Sequence, residues 1–444
     1  MNKYFKMLPG WVQSLIISIY NTYQYKVRHG GQYKQLRAVY KSFDKLDKPE
    51  WSKLQQDKLE KFLLFATSNS AWYAGCKNKL LSEFPILEKE DLINYLDKIQ
   101  TITDSKGLVS YTGGTTGASM KVVYTKKDIQ ERYAILDNFR SLHGYELGKR
   151  TAWFSGKDLV TQKDVDSGIC FRDDWINKIR FFSTFHINEK NFVTYWNALC
   201  DFKPEFIVGF PSSVFLICKM AKERGATYPG LVKVFFPTAE TVLAEHRAVI
   251  EEVLGCNLRD QYASSEGAPF ILECKESNKH IHPLTGIFEV VDDDFNPCIR
   301  GQLLVTSFTT HGTPLIRYKI GDSVALSSRQ HCSCGSTFPI VDSIDGRSND
   351  FLVSPEYGQV NLGNISNSTK GVDGIICFQI VQRTLDEIEI FVVPGPKFNS
   401  FQKEKFISAL RARMGAEVRF VFNLVKSIPT EKSGKFRIVK NLID

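Results

Sequence analysis

Three glycines, Gly113, Gly114 and Gly117, sit among the hydroxyls of Ser110, Thr112, Thr115 and Thr116, with Lys121 and the β-like run Val122-Val123-Tyr124 directly after them. Glycine permits positive φ and close backbone approach, so successive backbone N–H groups can converge on an anion. The hydroxyls and the lysine add donors suited to a polyphosphate. The spacing is not that of the Walker loop, and a bare surface turn remains the plainer alternative. A second group of reactive types is Cys274 and His280, beside His282, together with the knuckle Cys332-Ser333-Cys334. Two plus two soft ligands are what a closed tetrahedral zinc site requires, with His282 an alternative to His280. Two further residues have solvated readings when taken alone: Glu266, in a polar turn ended by Gly267, and Lys435, on a loop beside Gly434.

At 444 residues the chain exceeds what one core usually supports. With 43% hydrophobic and 24% charged residues it is globular in composition. The formal charge of +8 is modest over this length. No block of five like charges appears, and no basic concentration marks a nucleic-acid face. Ten cysteines at irregular spacing read as reduced thiols. The early apolar run is too short to span a bilayer and lacks a cleavage site, so the expected location is cytoplasmic.

These residues need elements to position them. Residues 1 to about 100 read as mostly helical. Trp11, Leu15, Ile16, Ile19 and Tyr20 share one face. That face either packs on the protein's own core or lies on a membrane surface between basic flanks. Leu54, Leu59, Phe62, Leu63 and Ala66 form another amphipathic stretch, and a helix from Asp128 to about Leu142 follows Thr125 as N-cap. Phe206–Ser212 leads into a helix over Val214–Arg224, and Val234–Glu240 into one over Ala244–Leu254. Such alternation argues for an α/β domain with parallel strands. Beyond residue 285 the texture is β-rich: Ile287–Val291, Gly301–Ser307 and Leu315–Tyr318. The last hundred residues read as a small α+β domain, with strands Ile375–Val381, Glu387–Val393 and Glu417–Phe422 and a helix from Asn399 to Met414.

Taken together, the Gly-rich loop, Tyr262–Glu266, Thr313–Asp322, Asp345–Asp350 and Pro429–Arg437 resemble, in order, the motifs of adenylate-forming enzymes. The nearest likeness is to the phenylacetate–coenzyme A ligase group and its CapK-like relatives. The resemblance covers essentially the whole chain. It implies a large N-terminal α/β domain over 1–349, with a helical leading segment and a β-rich part, and a mobile C-terminal α+β domain over 350–444. It implies ATP contacts from Ser110, Thr112, Gly113, Gly114, Thr115, Thr116, Gly117, Lys121, Ala239, Glu240, Tyr262, Ser265, Asp322 and Arg347. Tyr262 would stack on adenine, Asp322 would accept the ribose hydroxyls, and Glu266 would support magnesium. Asn349 falls at the hinge. Lys435 would contact substrate carboxylate and α-phosphate, and with Glu266 and Thr115 makes up the catalytic set. The group's similarly spaced Cys and His residues bind zinc, which strengthens that reading of Cys274, His280, Cys332 and Cys334.

The expected reaction is carboxylate plus ATP giving acyl-adenylate and pyrophosphate, followed by transfer to an acceptor. Coenzyme A is the default acceptor; an amino sugar or carrier-protein thiol would suit surface-polysaccharide biosynthesis. Ser265, Lys319 and Asn349 depart from the family's usual residues and leave room for a fold that only binds, whereas Glu266, Asp322 and Lys435 favour a working ligase. A nucleic-acid binder is the third reading, and no clustered basic face supports it. The acid and the oligomeric state are not legible.

Overall fold

The computed structural model describes residues 3–111, 120–157, 159–228, 231–347 and, from 351 onward, all but 357, 363–364, 366, 370–371, 373, 430, 432–435 and 444. Contacts divide the chain into two compact units, each discontinuous in sequence. One comprises Met1–Ser18, Gly148–Leu258 and Asp345–Asp444, the other Ile19–Leu147 and Arg259–Ile344.

The helices are α1 Gly10–His29, α2 Tyr33–Phe43, α3 Lys48–Asn69, α4 Lys89–Asn94, α5 Leu96–Ile99, α6 Lys126–Leu142, α7 Gln162–Asp166, α8 Phe192–Phe202, α9 Pro211–Glu223, α10 Ala244–Leu254 and α11 Ser400–Met414. The strands, in chain order, begin with a hairpin of β1 Leu108–Tyr111 and β2 Lys121–Tyr124. A six-stranded sheet follows: β3 Thr151–Ser155, β4 Phe171–Asp174, β5 Ile179–Ser183, β6 Phe206–Gly209, β7 Val234–Pro237 and β8 Asn257–Leu258. A seven-stranded sheet takes β9 Gln261–Tyr262, β10 Ile271–Glu273, β11 Lys279–Ile281, β12 Gly286–Val291, β13 Arg300–Ser307, β14 Tyr318–Leu326 and β15 Ile340–Arg347. Then come the hairpin β16 Phe351–Ser354 and β17 Gly358–Asn361, and a four-stranded sheet of β18 Ile375–Gln382, β19 Glu387–Pro394, β20 Arg419–Leu424 and β21 Val439–Asn441.

In the first unit the six strands lie in the order β4-β5-β3-β6-β7-β8, parallel except for the edge strand β4. β6 and β7 are buried on both faces, which is why their sequences are unbroken apolar runs. α9 starts with Pro211 at its first turn, where the missing N–H costs nothing, and packs Val214, Ile217, Cys218 and Ala221 into the core. Ile376 of β18 and Val393 of β19 join that same core. A further core under β18–β21 is closed by Phe406, Leu410 and Met414 of α11, whose N-cap Asn399 accepts from the Gln402 N–H.

The second unit is built on the seven-stranded sheet, in the order β12-β13-β14-β15-β11-β10-β9, with β12–β13, β13–β14, β15–β11, β11–β10 and β10–β9 paired antiparallel. Phe62 and Ala66 of α3 pack against it, as the amphipathic spacing requires. α6 is capped by Thr125 in a reciprocal box with Asp128. The expected strand over Leu315–Tyr318 instead begins at Tyr318, because Arg317 sits at φ 48° and breaks the extended run. The strand expected over Glu417–Phe422 is shifted to β20, Arg419–Leu424.

α1 overturns the core-packing reading of its apolar face. Its buried side chains are Gln13, Ser14, Ser18 and Asn21, whereas Trp11, Leu15, Ile16, Ile19 and Tyr20 are exposed. The reason lies in its neighbour: Gln13 accepts from Arg172 Nε at 2.8 Å, and the Ser14 and Ser18 hydroxyls accept from the backbone N–H groups of Asp173 and Trp175. A charged strand and its turn recruit polar partners, so the helix presents its polar side inward.

Candidate functional site

In the second unit, Tyr262 and Asp322 come from distant strands of one sheet, and the Tyr262 hydroxyl donates to Asp322 Oδ2 at 2.7 Å. Asp322 follows Gly321, whose φ of 84° lets β14 bulge between the pairings Gln302↔Ser323 and Leu304↔Lys319. Both side chains are half-buried. An aromatic ring beside a carboxylate with accessible acceptor oxygens is suited to a base and its ribose diol.

The turn that follows Tyr262 is held from behind. Arg132, buried in α6, donates to the carbonyls of Gly267 and Ala268 at 2.9 and 3.0 Å and to Thr309 Oγ1 at 2.9 Å. The Tyr124 hydroxyl donates to the Ser265 carbonyl at 2.8 Å, and its pKa is pushed up by burial. Gly267 lies at φ 110°, where a Cβ would meet Thr310 Cγ2 at 2.4 Å. Glu266 is thereby fixed and buried rather than a solvated turn carboxylate. The sequence reading missed Arg132 and Tyr124. An arginine on the inward side of an amphipathic helix was the available signal.

β1 and β2 pair in register Tyr111↔Lys121 and Ser110↔Val122, so the Gly-rich segment joins the ends of a two-stranded ladder. Residues Thr112, Gly113, Gly114, Thr115, Thr116 and Gly117 lie outside the described residues. Lys121 Nζ pairs with Asp104 at 2.7 Å. Arg347 ends β15, and Asn349 lies outside the described residues.

In the first unit, Ala239 and Glu240 follow β7. Ala239 adopts φ 66°, an uncommon value for a residue with a Cβ. The Glu240 carboxylate accepts from the Ser212 N–H in the first turn of α9 and from the Phe436 N–H, both at 3.1 Å. It thus clasps the residue directly after Lys435, which itself lies outside the described residues. Phe436 also lines a cavity of about 250 Å³ with Phe185, Phe215, His246, Ile376 and Phe378. His246 is buried there, among the described residues with no hydrogen-bond partner for Nδ1, and burial pushes its pKa down to about 3.

The second unit also gathers Cys274, His280, Cys332 and Cys334, whose ligand atoms all lie within 4.8 Å of one another. Cys274 follows β10, His280 is on β11, and the two other cysteines form a tight knuckle. The Phe338 carbonyl accepts from His280 Nδ1 at 2.9 Å, which fixes the tautomer and leaves the Nε2 lone pair, 3.6 Å from Cys334 Sγ, for a ligand. The Cys334 and Ser336 backbone N–H groups point at the sulfurs of Cys332 and Cys334. Burial raises the Cys332 pKa, but the Cys334 N–H and the neighbouring side chains outweigh it and bring the thiol down to about 6. The donor set and its supporting hydrogen bonds fit zinc. Among the described residues His282 is not part of the group; it is buried against Tyr40 and Phe338, which pushes its pKa down to about 3.

Residues 352–442 match the model of the CapK C-terminal domain. Protein CapK of Staphylococcus aureus is 31% identical over 462 residues, covering all of both chains. Phenylacetate-coenzyme A ligase of Thermus thermophilus is 27% identical over 281 residues, 54% of this chain and 61% of that protein. A crystal structure of 2-hydroxyisobutyryl-CoA ligase in the postadenylation state with its 2-HIB-AMP adduct superposes with a TM-score of 0.71 at 16% identity, covering 90% of this chain and 91% of that one. The chain belongs to the CapK family.

Proposed function

We propose that this protein activates a small carboxylic acid with ATP and transfers the acyl group to an acceptor. One carboxylate oxygen attacks the α-phosphorus, the bond to the β-phosphate breaks and pyrophosphate leaves. The acceptor then attacks the acyl carbon and AMP leaves. The observation that carries this reading is the Tyr262–Asp322 pair at 2.7 Å, a base-and-diol grip set in a family with ligase relatives. Coenzyme A is the acceptor of choice because a matching relative is named a phenylacetate-coenzyme A ligase. An amino-sugar nitrogen or carrier-protein thiol is the acceptor to screen next, for a role in surface-polysaccharide assembly.

In this reading Tyr262 holds the base, Asp322 holds the ribose and the backbone of the Gly-rich loop cradles the phosphates. The Glu240 clasp on Phe436 supports the delivery of Lys435 to the carboxylate and α-phosphate, where developing charge needs a fixed cation. Glu266 is the residue we assign to magnesium, which would neutralise phosphate charge. Cys274, His280, Cys332 and Cys334 would hold a structural zinc with no open position. That none of the ten cysteines is in a disulfide suits a reducing, cytoplasmic setting.

The test is pyrophosphate release across a panel of carboxylic acids, with metal content measured on the same preparations. At least one acid should give ATP-dependent release, and the protein should carry about one zinc per chain. Lys435→Ala should lower release by roughly two to three orders of magnitude while ATP binding persists. ATP binding without release from any acid would leave a binding protein, and equal rates in parent and variant would remove Lys435 from the chemistry.

A further inference from the structure

Among the described residues, the inverted helix α1 leaves its apolar face uncovered. Trp11, Leu15, Ile19 and Tyr23 recur at four-residue steps with Ile16 and Tyr20 beside them, and Trp11, Ile19 and Tyr23 are 64%, 59% and 63% exposed. On the opposite side Gln13 and Ser18 are 2% and 1% exposed. Met7 and Leu8, just ahead of the helix, extend the exposed apolar surface. The Ser18 hydroxyl accepts from the Trp175 N–H at 3.0 Å, which brings the β4–β5 turn alongside, with Trp175, Ile176 and Lys178 exposed. A soluble monomer gains nothing from so many large apolar side chains in water, and contiguous patches of this kind mark interaction surfaces.

Charge identifies the partner. The first 43 residues contain Lys3, Lys6, Lys26, Arg28, Lys34, Arg37 and Lys41 and no Asp or Glu, against a formal charge of +8 for the whole chain. Lys26, Lys34 and Lys41 are exposed, whereas Arg37 is paired with Glu146. The unremarkable overall charge therefore hides a basic segment interleaved with aromatics. Trp and Tyr favour the polar–apolar boundary of a bilayer, and basic residues are drawn to anionic headgroups. Among the described residues no helix is long and apolar enough to cross a membrane. We propose that α1 and the adjoining Trp175–Lys178 turn lie flat on an anionic lipid surface, holding the protein there peripherally and reversibly. This proposal is independent of the ligase reading.

Flotation with phosphatidylcholine vesicles, with and without phosphatidylglycerol, tests it on the full chain. Binding should require the anionic lipid and weaken with added salt. Ile19→Ser and Tyr23→Ser should each reduce binding roughly tenfold, because each withdraws one large side chain from the lipid. Lys26→Glu and Lys34→Glu should each reduce it roughly fivefold or more through the headgroup attraction. All four sites are exposed, so thermal melting of the variants should match the parent. Absence of flotation, or flotation indifferent to both lipid charge and these substitutions, overturns the proposal. A parent dimer in sedimentation analysis that Ile19→Ser converts to monomer would instead assign the face to a second copy of the chain.

Discussion

Helices α1 and α9 are amphipathic to a similar eye, yet they are oriented in opposite senses. α9 buries Val214, Phe215, Ile217, Cys218, Met220 and Ala221, while α1 buries Gln13, Ser14, Ser18 and Asn21. The difference comes from what each meets. α9 lies against strands whose inward residues are uniformly apolar, so burial is driven by withdrawal from water. α1 lies against β4, where Arg172 is 2% exposed and needs acceptors. A buried guanidinium without partners costs more than an exposed leucine gains by being covered. Periodicity thus fixes that a helix has two faces; the neighbouring strand decides which one turns inward.

The sharpest separation between the two helices should appear in stability. Ile217→Ala in α9 removes methylenes from a core that relaxes only in part, and should cost about 2–5 kcal/mol. Denaturant midpoints at constant slope measure this directly. A loss below about 0.5 kcal/mol, the range of ordinary surface substitutions, would show that α9 does not carry the core.

The second test concerns a polar group on the apolar side. His246 of α10 packs against Phe215 of α9 with ring centroids 4.7 Å apart. Burial lowers its pKa from 6.5 to about 3. Between those values the unfolded chain binds a proton that the folded one refuses, so stability from this residue is present above pH 6.5 and lost as pH falls. By pH 5 the loss should reach about 2 kcal/mol. Urea melts of parent and His246→Phe at pH 7.5 and 5 isolate it, since the variant lacks this contribution. Parallel losses in both proteins would show that His246 is protonated without penalty in the fold.

These contrasts also mark what could be read from the chain. The parallel strand-turn-helix units were legible because β6 and β7 are continuous apolar runs and α9 opens on proline. The Thr125 cap was legible because a capping box is a local pattern. The start of β14 was not, because Arg317's left-handed backbone is imposed from outside: its N–H donates to Thr306 and its guanidinium to Glu289 and the Ser82 carbonyl. Tyr262 and Asp322 could be named from motifs, but Arg132 and Tyr124, which hold the intervening turn, could not. Their role depends on α6 and β2 lying behind that turn. The orientation of α1 was illegible for the same reason, since Arg172 is about 160 residues away, a separation that local sequence patterns do not span.

The smallest expected effect is also the one that tests the inversion itself. Gln13→Leu makes α1 more apolar, and a rule that hydrophobic residues belong inside would score it as an improvement on a face that is already buried. Here Gln13 supplies the acceptor for Arg172 Nε at 2.8 Å. Leucine would leave that donor buried and unpaired, at a cost of 1–3 kcal/mol in general. The lower end applies, because Arg172 keeps its Nη1 bond to the Phe171 carbonyl at 2.9 Å and its ion pair with Asp164 at 3.0 Å. Loss of the bond from Gln13 Nε2 to the Leu8 carbonyl at 2.8 Å adds to this, so the expected loss is about 1–2 kcal/mol. Gln13→Glu should restore the acceptor for Arg172 but not the bond that Gln13 Nε2 donates to the Leu8 carbonyl, so it should recover only part of the loss. A stabilised Gln13→Leu protein would mean that the polar inner face is tolerated rather than required, and Arg172 would lose its place as the residue that orients α1.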